Sequence, residues 1–290
     1  MINTKKCLIC KGGRKNNCLH WHIDSESGEI WVWCQGICQR GYSIYSYCYH
    51  AGISVADLLS GEFEFHESTP NEVQKMEWPS WYLPLSDTRA KIGVDYVLSR
   101  GLTLEGDMYF DSERHGIVFP YYVDNHFVGA QTRFIKPWED KDGEIHKIDT
   151  IPGTRLGLVF YGWNQGKFVG DVKGVFVTEG AFNSLSISQA FNKAYGGITK
   201  SPWRAIACSG SGATKHHTDT IKELKDVGMK IIVAPDSDEA GLKMLKKFKD
   251  AEAATHYALT GDPEKDWNDF LKELGPVEFA KFVLSKVKAI

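Results

Sequence analysis

Apolar and polar positions alternate in a regular order between residues 174 and 241. Two short β-branched runs, 175–178 and 231–234, each give way to an acidic loop and then to a helical pattern. A third apolar run, in AIACSGSGAT, leads into a Gly/Ser turn. Strands that alternate with helices predict an α/β fold with a parallel sheet. The carboxyl ends of such strands share one edge, where ligands usually bind.

Acidic residues follow two of these runs directly. Glu179 ends the first run, and Asp236 and Asp238 come just after the later one. We expect the three carboxylates to converge at one sheet edge. Carboxylates this close need a counter-charge, and hard oxygen ligands suit Mg²⁺ or Mn²⁺. The alternative is that Glu179 and Asp238 only favour helix N-termini, where negative charge is stabilising.

Cysteine pairs mark the first forty residues. Two tight pairs lie on either side of two alternating strands that are joined by SESG. Two thiolate pairs held by a hairpin predict a zinc ribbon with one structural Zn²⁺ in tetrahedral coordination. The predicted ligands are Cys7, Cys10, Cys34 and Cys38, and His20 or His22 could replace one of them. We expect Cys48, in a predicted helix, to pack against the ribbon.

Composition sets limits on the class of protein. The 290 residues carry a net charge of −3, which counts against extended duplex binding but permits a local basic groove. We find neither a targeting segment nor an apolar run that would span a membrane, so we expect a cytoplasmic protein, in a bacterial host if it is phage-encoded. In that compartment metal binding by cysteines is favoured over disulfides.

The middle and the end of the chain add further elements. VDYVLSRGLT predicts a helix that ends at Gly101, and HGIVFPYYVDNHFVGAQTRFI predicts a hairpin. THYALTGDPEKDWNDFLKEL predicts a strand, a loop and a helix, which would bring Asp266 to the acidic edge, with Asp269 as the alternative. We expect His216 and His217 to be surface residues. A final helix is predicted over 276–287.

Two segments resemble the signatures of the TOPRIM domain, which bacterial-type primases, topoisomerases and some nucleases share. They are VTEGAFNSLSI and APDSDEAGLKML. The resemblance implies that Glu179 acts in phosphoryl transfer and that Asp236 and Asp238 bind divalent metal. Asn183 stands where several primases have an acid, so a metal ligand is either missing there or replaced by an amide oxygen. Lys-Asp-Trp-Asn-Asp resembles the final acidic motif of primases and adds Asp266 to the metal site.

The order of the motifs resembles that of bacterial and phage primases over nearly the whole chain. The implied domains are a zinc ribbon (1–62), a linker (63–80), a polymerase subdomain (81–168), a TOPRIM domain (169–262) and a final acidic motif with a helix (263–290). By the same resemblance Arg100, Arg133 and Lys147 contact template or nucleotide phosphates. The implied activity is synthesis of RNA primers from ribonucleoside triphosphates on single-stranded DNA, with a replicative helicase as partner.

Two other functions use the same motifs. A TOPRIM nuclease would have the same metal site, and the zinc ribbon with the arginine-bearing hairpin is all that argues against it. A non-catalytic adaptor would bind DNA or a replication partner through the ribbon. A topoisomerase would need a tyrosine nucleophile and large strand-gating domains, for which 290 residues leave little room.

Overall fold

The structure is a computed structural model that describes residues 7–9, 19–23, 30–34, 40–51, 58, 73–139, 143, 145–164, 171–210 and 212–290. The chain forms two compact units. The smaller comprises Met1–Gln74 and Ile151–Thr154, and the larger comprises Lys75–Thr150 and Arg155–Ile290. None of the described helices has the length and apolar character needed to cross a membrane.

The smaller unit contains the predicted hairpin. Strands β1 (Leu19–Ile23), β2 (Ile30–Cys34) and β3 (Arg40–Ser43) form an antiparallel sheet in that order, and helix α1 (Ile44–Ala51) follows directly. The core is a cluster of buried side chains that includes Cys7, Leu19, Val32, Cys34, Tyr42, Tyr47 and Cys48. The hairpin, the helix and the packing of Cys48 are therefore confirmed.

Half of the predicted zinc-ligand set can be placed. Cys7 and Cys34 are fully buried in this core cluster. Cys10 and Cys38 lie outside the described residues, and the side chains of the two candidate histidines do as well. The ligand set remains a prediction.

The larger unit begins with an antiparallel sheet. Its order is β4 (Tyr82–Pro84), β5 (Tyr109–Asp111), β6 (Gly116–Val123), β7 (His126–Glu139) and β8 (Ile145–Thr150). Asp124 and Asn125 connect β6 to β7 with φ angles of 49° and 64°, the left-handed geometry that tight hairpin turns require. The predicted hairpin is thus confirmed.

A helix covers one face of this sheet. Helix α2 (Lys91–Ser99) follows a short 3-10 helix (Thr88–Ala90), and Gly101 with a φ of 73° comes just after its end. Gly93 allows α2 to approach closely, since a Cβ there would lie 2.7 Å from the Phe110 ring.

The segment predicted as a linker, 63–80, is described only from residue 73 onward. Within it, the Met76 N–H donates a hydrogen bond to the Phe127 carbonyl at 2.8 Å. The Trp78 ring packs edge-on against Tyr109 and Phe127. These residues of the segment therefore belong to the larger unit, while the domain boundaries remain predictions.

The second sheet has the predicted parallel arrangement. The strands run in the order β10 (Trp203–Ala207), β9 (Gly174–Thr178), β11 (Lys230–Val233), β12 (His256–Tyr257) and β13 (Lys288–Ala289). The first four are parallel, and β13 is an antiparallel edge strand. The helices are α3 (Ala181–Tyr195), α4 (Lys215–Asp226), α5 (Glu239–Asp250), α6 (Trp267–Leu274) and α7 (Pro276–Ser285).

Apolar side chains cover both faces of the parallel sheet. Val177 and Val233 belong to one buried cluster with Phe248 of α5. On β9, Phe176 points to the opposite face and stacks on Phe191 of α3. A sheet buried on both faces reads as a nearly continuous apolar run, which is why its strands were visible in the sequence.

The expectation of two surface histidines is half wrong. His216 is exposed, but His217 is buried, with 1% of its surface accessible. Its Nδ1 accepts a hydrogen bond from the Thr214 N–H at 3.2 Å, and its Nε2 donates to the Val159 carbonyl at 2.9 Å. Burial lowers the pKa of His217. The residue closes a capping box at the start of α4, and its contact with the distant Val159 carbonyl holds the ring inside the protein.

Candidate active site at the carboxyl edge of the parallel sheet

Glu179 follows directly after Thr178, the last residue of strand β9. The backbone ladder continues past it, because the Ser209 N–H donates to the Glu179 carbonyl at 2.8 Å. Gly180, not Glu179, occupies the N-cap of α3. The Glu179 side chain is half-buried, and its Oε1 is buried with no hydrogen bond among the described residues. Burial, and then the charge of Asp238, raises the pKa of Glu179.

Asp236 follows the neighbouring strand β11 and lies beside Glu179. Burial, and then the charges of Glu179, Asp266 and Asp238, together raise the pKa of Asp236 to about 7. Asn183 opposes this rise, since the amide Nδ2 donates to Asp236 Oδ1 at 2.9 Å. The sheet topology thus brings together acids from distant parts of the chain.

Asp238 is the N-cap of α5. Its Oδ1 accepts from the Gly241 N–H at 2.8 Å. A Cβ on Gly241 would lie 2.1 Å from the Asp236 carbonyl oxygen and 2.7 Å from Glu179 Oε1, so only glycine fits here. Asp238 therefore caps α5 through one oxygen, whereas Glu179 lies next to the N-terminus of α3 without being its N-cap.

Asp266 is the N-cap of α6. Its Oδ1 accepts from the Asp269 N–H at 2.8 Å, and Asp269 Oδ2 accepts from the Asp266 N–H at 3.3 Å. Burial raises the pKa of Asp266, and Asp269 adds to this, while the hydrogen bond from Asp269 and the charge of Arg100 oppose it. Asp269 completes the capping box of α6. Of the two candidate acids, Asp266 is the one whose charge raises the pKa of Asp236.

Arg100 faces the acidic centre. Its Nη2 lies 3.7 Å from Asp266 Oδ2, and its guanidinium lies 5.2 Å from the centre of the Phe182 ring. Fully buried Asn268 donates through Nδ2 to the Arg100 carbonyl and to Ser186 Oγ, both at 2.9 Å. Sequence reasoning missed Asn268, although it lies inside the acidic Lys-Asp-Trp-Asn-Asp string.

The other two basic candidates lie on the antiparallel sheet. Arg133 of β7 is half-buried and is paired with Ile117 and Ile148, on the face that packs against α2. Lys147 of β8 is exposed and precedes Ile148. Because side chains alternate along a strand, Lys147 belongs to the opposite face. The structure places the two basic residues on neighbouring strands but not on one surface.

The donor atoms of the centre suit a hard cation. Glu179 Oε1 and Asn183 Oδ1 are buried acceptors that no hydrogen bond reaches within the described part of the chain. Such acceptors, surrounded by further carboxylates, fit Mg²⁺ or Mn²⁺. Within the same described residues, no group of three or more His, Cys, Asp or Glu side chains is by itself arranged to hold a metal ion.

Comparison with known proteins defines the class of this fold. Residues 176–271 match the family described as Toprim-like. No curated protein sequence gives a significant match. This stretch contains the last three residues of β9, the whole of β11 and all four acids of the centre.

Solved structures then point to primases. The Aquifex aeolicus primase, with its zinc-binding and RNA polymerase domains, is 17% identical; the match covers 96% of this chain and 81% of that chain, with a TM-score of 0.51. The RNA polymerase domain of Mycobacterium tuberculosis primase DnaG, in complex with a double-stranded DNA oligomer with a 6-nucleotide overhang, is 16% identical over 71% and 76% of the two chains, with a TM-score of 0.52. A DnaG catalytic core is 15% identical over 71% and 76%, with a TM-score of 0.51. The chain thus has the fold of bacterial primases with a Toprim-like domain, and the predicted fold is confirmed.

Proposed function

We propose that this protein is a DNA primase that joins ribonucleoside triphosphates into short RNA primers on single-stranded DNA. The observation that carries the proposal is the convergence of Glu179, Asp236, Asp238 and Asp266 at one edge of the Toprim-like sheet. A primase fold and an oxygen-rich acidic centre together favour metal-dependent nucleotidyl transfer.

The four acids would hold one or two Mg²⁺ or Mn²⁺ ions. When bound, these ions neutralise the triphosphate and favour attack of a 3′-hydroxyl on the α-phosphate with loss of pyrophosphate. Glu179 is suited to accept the proton of that hydroxyl, since burial raises its pKa and its Oε1 accepts no hydrogen bond from the described residues. The Asp269 N–H fixes Asp266 in place.

The basic residues would bind different phosphates. Arg133 shares its sheet face with Phe119, and the centres of the Phe119 and Phe182 rings are 5.0 Å apart. The Arg100 guanidinium lies over the same Phe182 ring. We assign Arg133 and Arg100 to phosphates next to the acidic centre. Lys147, on the opposite face, would contact a more distant part of the template.

A structural Zn²⁺ in the smaller unit is part of the proposal. The ligands would be Cys7, Cys10, Cys34 and Cys38, and the burial of Cys7 and Cys34 in one core cluster supports it. Atomic emission on the purified protein should give one zinc per chain. Single-stranded DNA, ribonucleoside triphosphates and a replicative helicase are the proposed partners, in the cytoplasm.

A primer-synthesis assay tests the activity. The protein is incubated with single-stranded DNA, four labelled ribonucleotides and Mg²⁺, and the products are separated on a gel. We expect short oligoribonucleotides from the wild type and from Glu223→Ala, an exposed control on α4, and none from Glu179→Ala. Circular dichroism establishes that the variants are folded.

The same assay separates the competing functions. Shortened template without new RNA would identify a nuclease, which would use the same acids. Neither product, over templates of varied sequence and with Mn²⁺, would contradict catalysis by the isolated chain and favour a DNA-binding adaptor.

A further inference from the structure

Asn183 occupies a special position in the acidic centre. It lies in the first turn of α3 and is 5% exposed. Its Nδ2 donates to Asp236 Oδ1 at 2.9 Å, while its Oδ1 is buried and accepts no hydrogen bond among the described residues. The Asn183 side chain thus donates a hydrogen bond to Asp236 through Nδ2, while its Oδ1 is a buried acceptor without a hydrogen bond from the described residues.

An amide can fill both roles, and a carboxylate cannot. A second carboxylate at hydrogen-bond distance from Asp236 would place two like charges together, which is unfavourable unless they share a proton or a cation. The amide donates instead, so Asp236 is held without added charge. The bare oxygen is costly to bury unless a ligand occupies it, and amide oxygens are common ligands of hard divalent cations.

We propose that Asn183 determines the cation affinity of the centre. Through Nδ2 it positions Asp236, and through Oδ1 it supplies a neutral ligand to Mg²⁺ or Mn²⁺. The centre therefore has one negative charge fewer than it would have with an acid at position 183. The proposal rests on the proposed function only in requiring that the acids bind a divalent cation.

The amide therefore has opposite effects on the ion-free and the ion-bound protein. Without the cation, the neutral amide avoids a further like charge, so the ion-free fold is more stable. With the cation, the weaker ligand gives lower affinity, because the number of charged ligands sets the affinity of oxygen sites. An acid at position 183 should shift both properties in opposite directions.

The test measures cation binding directly, without nucleotide or template. Isothermal titration with MgCl₂ and MnCl₂ is combined with melting curves in EDTA and in saturating Mg²⁺. Asn183→Asp should bind Mg²⁺ on the order of tenfold more tightly, yet melt below the wild type in EDTA. Asn183→Leu, similar in size but without polar atoms, should bind at least severalfold more weakly; Asn183→Ala replaces it if the leucine variant does not fold.

Asn192→Asp is the matched control. It adds the same charge to the same helix, near the end remote from the acids, and should bind cations as the wild type does. Wild-type affinity in Asn183→Leu or Asn183→Ala, or unchanged affinity and melting in Asn183→Asp, would overturn the proposal. Absence of cation binding by the folded wild type would overturn it together with the metal centre. Failure of primer synthesis while the variants follow the expected order would count against the proposed function alone.

Discussion

In the two sheets of the larger unit, the distance between charged residues along the sequence and their closeness in space are related in opposite ways. In the parallel sheet, Glu179 and Asp236 are far apart in sequence but meet, because β9 and β11 are neighbours whose carboxyl ends share an edge. In the antiparallel sheet, Arg133 and Lys147 are close in sequence, yet alternation assigns them to opposite faces. Topology gathers charges in the first case and separates them in the second.

We expect the largest loss of activity when one carboxylate of the acidic centre is removed. Asp236→Asn keeps the shape of the side chain but removes a carboxylate whose pKa is raised by burial and by the charges of Glu179, Asp266 and Asp238. We expect primer synthesis to fall by roughly 10³-fold or more, as for loss of a principal electrostatic group. The measurement is initial rate under saturating nucleotide. A rate close to that of the wild type would contradict the catalytic role of the cluster.

Gly241 tests the close approach on which the cluster depends. In Gly241→Ala the new methyl group would overlap the Asp236 carbonyl and crowd Glu179 Oε1. We expect a loss of about 1–3 kcal/mol in the free energy of unfolding, the usual cost of overpacking. Urea titration provides the value.

Gly180→Ala is the comparison for this measurement. A Cβ at Gly180 would meet nothing within 4 Å, so the only expected cost in the free energy of unfolding is the poorer N-cap preference of alanine, about 0.5 kcal/mol. Equal stability of the two variants would show that the edge can relax around a methyl group.

Gathered carboxylates should also make stability depend on pH. The folded-state pKa of Asp236 is about 7, above the ordinary value of 3.8, so the folded protein holds this proton more tightly than the unfolded chain. The corresponding stability is complete below about pH 4 and is lost as the pH rises to about 7. His217 and His256, whose pKa values are lowered, act in the opposite direction.

The difference in melting temperature between the wild type and Asp236→Asn isolates the contribution of Asp236 to the pH dependence of stability. In EDTA, Asp236→Asn should melt at the same temperature as the wild type near pH 4, and roughly 3–6 °C above it at pH 8. Scanning calorimetry at several pH values provides the comparison. A difference that does not change with pH would show that Asp236 titrates normally.

The smallest effects concern the separated charges. Arg133→Ala and Lys147→Ala should each weaken binding of a labelled single-stranded oligonucleotide by about 1 kcal/mol. Because the residues lie on opposite faces, the double variant should equal the sum of the single effects within about 0.5 kcal/mol. Fluorescence anisotropy at fixed salt measures all three. A larger deviation of the double variant from that sum would indicate that Arg133 and Lys147 contact the same phosphate.

Local patterns in the sequence were sufficient for the elements and for the edge that holds the acids. The runs before Glu179 and Asp236 are strands because they are buried on both faces, and Asp124-Asn125 forms the predicted turn. The inward turn of His217 and the steric need for Gly241 could not be predicted. Both depend on contacts between distant segments, which periodicity does not report.

The roles of the individual side chains are a separate question. The zinc ligands and the phosphate contacts of Arg100, Arg133 and Lys147 remain predictions, because the first set is only half described and the second needs a bound ligand to define it. The position of Arg100 beside Asp266 arises from Asn268, which contacts residues far away in the sequence.

Helix α3 carries two polar anchors on the same segment of chain. Gln189 accepts from the Thr103 N–H at 2.8 Å and donates to the Glu105 carbonyl at 2.6 Å, and Asn268 joins the Arg100 carbonyl to Ser186 of the same helix. The connection that leaves α2 is thus hydrogen-bonded to α3, the helix that follows Glu179. Amide protons along this connection should exchange with solvent only in the rare openings that also release the parallel sheet, so the two sheets behave as one cooperative folding block.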